Sequence, residues 1–172
     1  MKRKALLVAV VTALVVALSG CGQTGGSKST KAEKDGVYFK NGVYETNDVK
    51  IEITDEKVIQ PGETGNEYGE KPVIAFWYKV TNKTEKDTDP TTAWITAFQV
   101  FQDNDANQVN ELDVGMLPDQ RYTDTQMETI KKGGTAENAI AYELDDTTTP
   151  VIIKASNFVT GEKIGQKKYE IV

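Results

Sequence analysis

Val73-Ile74-Ala75-Phe76-Trp77-Tyr78-Lys79-Val80-Thr81 decides the fold of this chain. The run is β-branched or aromatic for most of its length, the composition that fits a pleated sheet surface. Its hydrophobicity is nearly continuous, as in a strand covered on both sides rather than one at a sheet edge. Alternation along a strand sends Trp77 and Tyr78 to opposite faces. Because a tryptophan on an interior strand of a sandwich most often packs in the core, Trp77 is the expected core residue. The placements of Tyr78 and Trp94 stay open.

Period-two patterning extends outward in both directions. Val49, Ile51 and Ile53 alternate with Lys50, Glu52 and Thr54 in a strand running toward Ile59. Pro61-Gly62 and the polar stretch to Glu70 read as a loop. A charged turn over 82–92 leads to a strand expected from Trp94 to Phe101, although Asp89 before Pro90 has the form of a helix cap. Residues 108–114 suggest a short strand, 117–126 look irregular, and Gly133-Gly134 marks a turn. Strands follow at 136–144, with Asn138, Ile140, Tyr142 and Leu144 on one side, then at 151–155 and 163–172. About seven short strands separated by turns predict an all-β, antiparallel sandwich over residues 37–172.

The N-terminus supplies an address. Lys2, Arg3 and Lys4 precede an apolar stretch over 5–18, followed by Leu18-Ser19-Gly20-Cys21. This is the order of a secretory signal, and the stretch is shorter than the roughly twenty residues a membrane-spanning helix needs. Leu-Ser-Gly-Cys resembles the bacterial lipoprotein consensus at each position, which implies cleavage after residue 20 and lipidation of Cys21. Two acyl chains on one diacylglycerol give stable anchoring where a single chain does not. Residues 22–36 are small, charged and nearly free of apolar side chains, so 21–36 is read as the lipidated cysteine and a flexible linker.

Charge and inventory narrow the chemistry. The chain has 26 acidic and 20 basic residues, net −6; without Lys2, Arg3 and Lys4 it becomes −9. No basic footprint for nucleic acid is present. Histidine is absent and Cys21 is the only cysteine, which excludes Ser-His-Asp and Cys-His catalysis and histidine-ligated metals. No cofactor is expected.

Three motifs carry a family resemblance: residues 76–84 (Phe-Trp-Tyr-Lys-Val-Thr-Asn-Lys-Thr), 98–103 (Phe-Gln-Val-Phe-Gln-Asp) and 130–135 (Ile-Lys-Lys-Gly-Gly-Thr). Together with the lipobox, they resemble the secreted immunoglobulin-like domain of unknown function common in lipoproteins of low-GC Gram-positive bacteria. The resemblance spans most of 44–172. It implies an immunoglobulin-like sandwich on the extracellular face of the cell membrane and assigns no reaction.

Several local features have a functional and a structural reading. Asp103-Asn104-Asp105-Ala106-Asn107 opens like a calcium loop, but Gln108 and Val114 stand where glycine and the bidentate glutamate are needed. A turn built on Asp and Asn is expected. Asp103, Asp105, Glu111 and Asp113 are the candidates if the domain is a carboxylate-dependent glycan hydrolase. Trp77, Tyr78 and Trp94 could form an aromatic platform. Asn82-Lys83-Thr84 matches a glycosylation sequon, a reading the bacterial lipobox argues against, and 131–134 could bind an anion but is more simply read as a solvated turn between strands. The chain is therefore expected to be a noncatalytic, lipid-anchored module that binds an envelope protein, peptide or glycan. A glycan hydrolase and a structural spacer of an envelope assembly are the alternatives.

Overall fold

The computed structural model describes residues 36–157 and 160–171. The expected signal peptide, Cys21 and nearly all of the expected linker lie outside the described residues. Eight strands and one short helix follow in the order β1 (Tyr38–Lys40), β2 (Val43–Glu45), β3 (Val49–Ile59), β4 (Val73–Asn82), α1 (Pro90–Ala97), β5 (Phe98–Gln102), β6 (Thr135–Glu143), β7 (Val151–Ser156) and β8 (Lys163–Tyr169). They form two antiparallel sheets, β1-β2-β3-β4-β6 and β5-β7-β8, an all-β sandwich. β4 lies between β3 and β6, so the strand that decides the fold is paired on both sides.

The core between the sheets is aromatic. Phe76, Tyr78 and Val80 point inward from β4, and Trp94 sits at the centre with no exposed surface. Its ring lies 5.8 Å from Phe76, 4.4 Å from Tyr78 and 4.8 Å from Phe98. The Phe76 ring stacks on Trp94 while Tyr78 is tilted and Phe98 edge-on to it, and the ring quadrupoles favour offset-stacked and edge-to-face pairs at such separations. The Trp94 indole N–H donates to the Tyr142 hydroxyl at 2.8 Å, satisfying the polar end of a buried side chain.

Trp94 reaches this position from α1, not from a strand. The Asp89 carboxylate accepts a hydrogen bond from the Thr92 amide at 2.8 Å, and Pro90 opens the helix, the pairing of N-cap and N1 residues that starts helices. Residues 94–97 thus correct the expected strand; only 98–102 are extended. Burial of the indole between the sheets outweighs the β propensity of Trp94, Ile95 and Thr96.

The sandwich is closed along both sides. Residues 110–115 cross from one sheet to the other as a strap: the Leu112 amide donates to Val100 at the edge of β5, and the Gly115 amide donates to Ala141 at the edge of β6. This segment makes only isolated bridges instead of the short strand expected over 108–114. On the opposite side β1 packs along β8, with Phe39 5.0 Å from Phe98. Covering edge strands in this way removes templates for unwanted pairing.

The first and third sequence motifs become structural ties. Asn82 is buried; its amide nitrogen donates to the Lys86 and Ile130 carbonyls at 2.9 and 2.8 Å, and its Oδ1 accepts from the Thr84 amide at 3.0 Å. The Gly133 amide donates to the Asn82 carbonyl at 2.7 Å. These bonds join the first motif to the third and leave the sequon side chain no free nitrogen to modify. Gln102 is equally buried and holds the 145–149 turn, donating to Asp146 and Thr149 carbonyls and accepting from the Asp145 amide.

Candidate functional site on the outer sheet face

Along β4, Val73, Ala75, Trp77 and Lys79 share the parity opposite to the core. Trp77 therefore lies half-buried on the outer face, and Tyr78, 1% exposed, is the core residue. This corrects the expectation for Trp77. Lys79 carried the signal, since a lysine two residues away on a strand shares its face. Val73 and Ala75 join Ile59 and Ala141 in a small second apolar cluster, against which Trp77 packs. That cluster accounts for the continuous hydrophobicity of β4.

A latch from a distant segment fixes the indole. Trp77 Nε1 donates to Asp119 Oδ2 at 2.9 Å. Asp119 caps the 3₁₀ turn Gln120–Tyr122 by accepting from the Arg121 amide at 3.1 Å. The Arg121 side chain returns to the same carboxylate, with Nε 3.0 Å from Oδ1 and Nη2 2.6 Å from Oδ2. Arg121 also lies over the Tyr122 ring, 5.4 Å from its centroid. The Arg121 guanidinium holds the Asp119 carboxyl far below its ordinary range; desolvation opposes this, and the Trp77 N–H reinforces it. Asp119 is 14% exposed while Arg121 is 74% exposed, so the acid is shielded and the base reaches into solvent.

Two further features complete the surface. The β3–β4 register shifts between Ile53 and Asp55, and this bulge turns Asp55 to the face of Trp77. Bulges re-aim side chains in this manner. Thr54 donates across it to the Trp77 carbonyl at 3.1 Å. On the other flank, Glu137 of β6 pairs with Lys79 at 2.8 Å, which lowers the Glu137 pKa and raises that of Lys79. Together Thr54, Asp55, Trp77, Asp119, Arg121, Tyr122 and Glu137 line an open depression of about 440 Å³.

A second concavity, about 510 Å³, opens at the end of the sandwich against α1 and is lined by six threonines. Several of these hydroxyls are engaged with nearby backbone. Thr46 accepts from the Asp48 and Val49 amides, and Thr96 donates to the Thr92 carbonyl. The outer face instead directs a large ring and ionised groups outward.

The acidic candidates from the sequence do not form part of this depression. Asp105 accepts from the Asn107 and Gln108 amides at 2.6 and 3.1 Å, the geometry of an Asx turn. Glu111 accepts from the Gln99 side chain at 3.2 Å. Asp103 and Asp113 are exposed. Among the described residues, no group of three or more histidine, cysteine or acidic side chains is arranged to hold a metal ion.

The chain belongs to a family described as a domain of unknown function (DUF5067), whose model matches residues 25–157. No curated protein matches it. Among solved structures, it is similar to a chain from Staphylococcus aureus subsp. aureus NCTC 8325 that carries a provisional lipoprotein assignment. The identity is 21%, with 78% of this chain and 92% of the other covered and a TM-score of 0.66. At that identity the likeness concerns the fold.

Proposed function

We propose that this protein is a bacterial lipoprotein, cleaved after Gly20 and lipidated at Cys21, whose immunoglobulin-like domain over 37–172 is a noncatalytic binding module on the extracellular face of the membrane. It contacts an envelope protein, peptide or glycan through the Trp77 depression. The single observation carrying this reading is Trp77 itself, a large aromatic held on an outer sheet face by a carboxylate that a guanidinium clasps in turn. Exposed aromatics and arginines are enriched where binding energy concentrates. A glycan hydrolase requires one carboxyl kept protonated near neutral pH. Asp119 and Glu137, two of the three acids lining the depression, are instead shifted toward ionisation by their cationic partners.

Photocrosslinking on intact cells tests the reading. A photoreactive residue replacing Tyr122 should capture a specific envelope component, whereas one replacing Gln166 on the other sheet should not. Equal capture from both positions, or none from Tyr122, defeats the assignment. For the anchor, an ordinary secretory signal fused to residues 22–172 should release folded protein into the medium; retention in washed membranes would count against lipidation as the means of attachment.

A further inference from the structure

We infer that the ligand of the Trp77 depression is a neutral, gluco-configured pyranose chain. This rests on the binding role assigned to that face and names the chemistry it takes. Asp119 consumes the indole N–H, so Trp77 offers a recognition element made of its ring surface alone. The C–H face of an all-equatorial pyranose is an apolar plate that complements such a ring. Its hydroxyls project sideways, where they meet groups of both hydrogen-bonding senses.

The charge arrangement favours a neutral ligand over an ionic one. Arg121 is neutralised by Asp119 and the neighbouring Lys79 by Glu137, so the residues lining the depression hold no unmatched cation for a polyanion, and Asp55 is the acid among them without an ion pair. Paired ions still accept and donate through their outward lone pairs and protons. The Arg121 fork has donors beyond those given to Asp119, and Glu137 and Asp55 have acceptor oxygens. Vicinal hydroxyls, each both donor and acceptor, use such a mixed rim without bringing a charge to be compensated. The bulge that turns Asp55 toward Trp77, the 3₁₀ turn presenting Arg121 and Tyr122, and the β4–β6 pair presenting Glu137 place that rim on three sides of the ring.

The chain contains two tryptophans, and Trp94 is wholly buried; a ligand-induced change in quencher-accessible fluorescence therefore reports Trp77. The full chain, extracted in a non-glycosidic detergent, is titrated with cellohexaose and chitohexaose, and binding is confirmed by calorimetry. At least one should protect Trp77 from acrylamide. Trp77→Ala should weaken its binding by about tenfold or more, the size expected for an aromatic hot spot. Glu137→Gln, which leaves the Trp77–Asp119 latch intact, should weaken it severalfold. Absence of binding to both oligosaccharides, or undiminished binding in a Trp77→Ala variant that melts cooperatively, overturns the inference. If neither sugar binds while crosslinking from Tyr122 still captures an envelope protein, the face is a protein-binding surface and only the glycan assignment fails. If crosslinking fails as well, the binding role falls with it.

Discussion

The two faces of β4 show how one strand serves two purposes. Inward, Phe76 and Tyr78 meet Trp94, and Phe76 also meets Tyr169, in a buried cluster. The Tyr78 hydroxyl donates to the Pro90 carbonyl and the Trp94 N–H to Tyr142, while the Tyr169 hydroxyl is buried without a hydrogen-bond partner among the described residues. Outward, one residue along, Trp77 is held by ions that remain in contact with water. The inner aromatics hold the sheets together by removing area from solvent. The outer one is positioned without being fully hidden, and that difference separates a core aromatic from one left partly open to solvent.

The largest expected effect lies inside. Phe76→Ala and Trp94→Ala should each cost about 3–5 kcal/mol in denaturant unfolding, as for other large aromatics deleted from cores. Trp94→Ala additionally leaves the Tyr142 hydroxyl without its donor. A cost under about 1 kcal/mol for either would place the core elsewhere.

Outside, Trp77→Ala should cost roughly 1–2 kcal/mol, because only part of the ring is covered. If it destabilises as much as Phe76→Ala, the outer indole is a second core and the contrast between faces disappears. Quenching sharpens the same point. Acrylamide should reach the fluorescence lost in Trp77→Phe and should not reach the fluorescence lost in Trp94→Phe.

Acid should release the latch. The folded carboxyls of Asp119 and Asp146 are held down, the first mainly by Arg121 and the second mainly by the Thr149 amide, whereas an unfolded aspartate protonates near pH 3.9. Their stabilisation is therefore full above about pH 5 and is lost as pH falls through the acid range toward the folded values. Urea melts between about pH 5 and pH 2 should show a declining midpoint, with a shallower decline in Asp119→Asn. Parallel profiles for the two proteins would show that the Arg121–Asp119 pair adds nothing.

The smallest effect belongs to the exposed Lys79–Glu137 pair. Surface ion pairs are screened and pay side-chain entropy, so Glu137→Gln should leave the melting temperature unchanged in moderate salt. A clear fall would make Glu137 a structural element and remove it as a group held in reserve for a ligand.

Much of the sheet architecture was legible in the sequence because its signals are local. Alternation at 49–53, the continuous run at 73–81 and the patterned strand at 136–144 correspond to β3, β4 and β6, and Ile140, Tyr142 and Leu144 face the core as their spacing indicates. The hairpin of β1 and β2 was missed although Asn41-Gly42 marks it: both residues have positive φ, 53° and 80°, the conformation a type I′ turn needs. Helix α1 was obscured because β-branched and aromatic residues fill it. The outer site was not legible. Its two halves, Trp77 and Asp119, are 42 residues apart, and Asp119 and Arg121 lie in the 117–126 stretch, which carries no periodic pattern. Parity along β4 was open to reading, but with Phe76, Trp77 and Tyr78 consecutive, hydrophobicity alone could not choose the inward face.

Strand β1 has a mechanical consequence. It is three residues long and is the first structured element after residue 36, so any pull transmitted from an anchored N-terminus loads it before the rest of the domain. Three rungs join β1 to β2, while ten residue pairs join β3 to β4. Under tension the hairpin should peel first, and releasing residues 38–45 would add roughly 25–30 Å of extended chain ahead of β3. Because the β3–β4–β6 ladder lies beyond the peeled segment, the Trp77 depression should stay assembled while the chain lengthens under load.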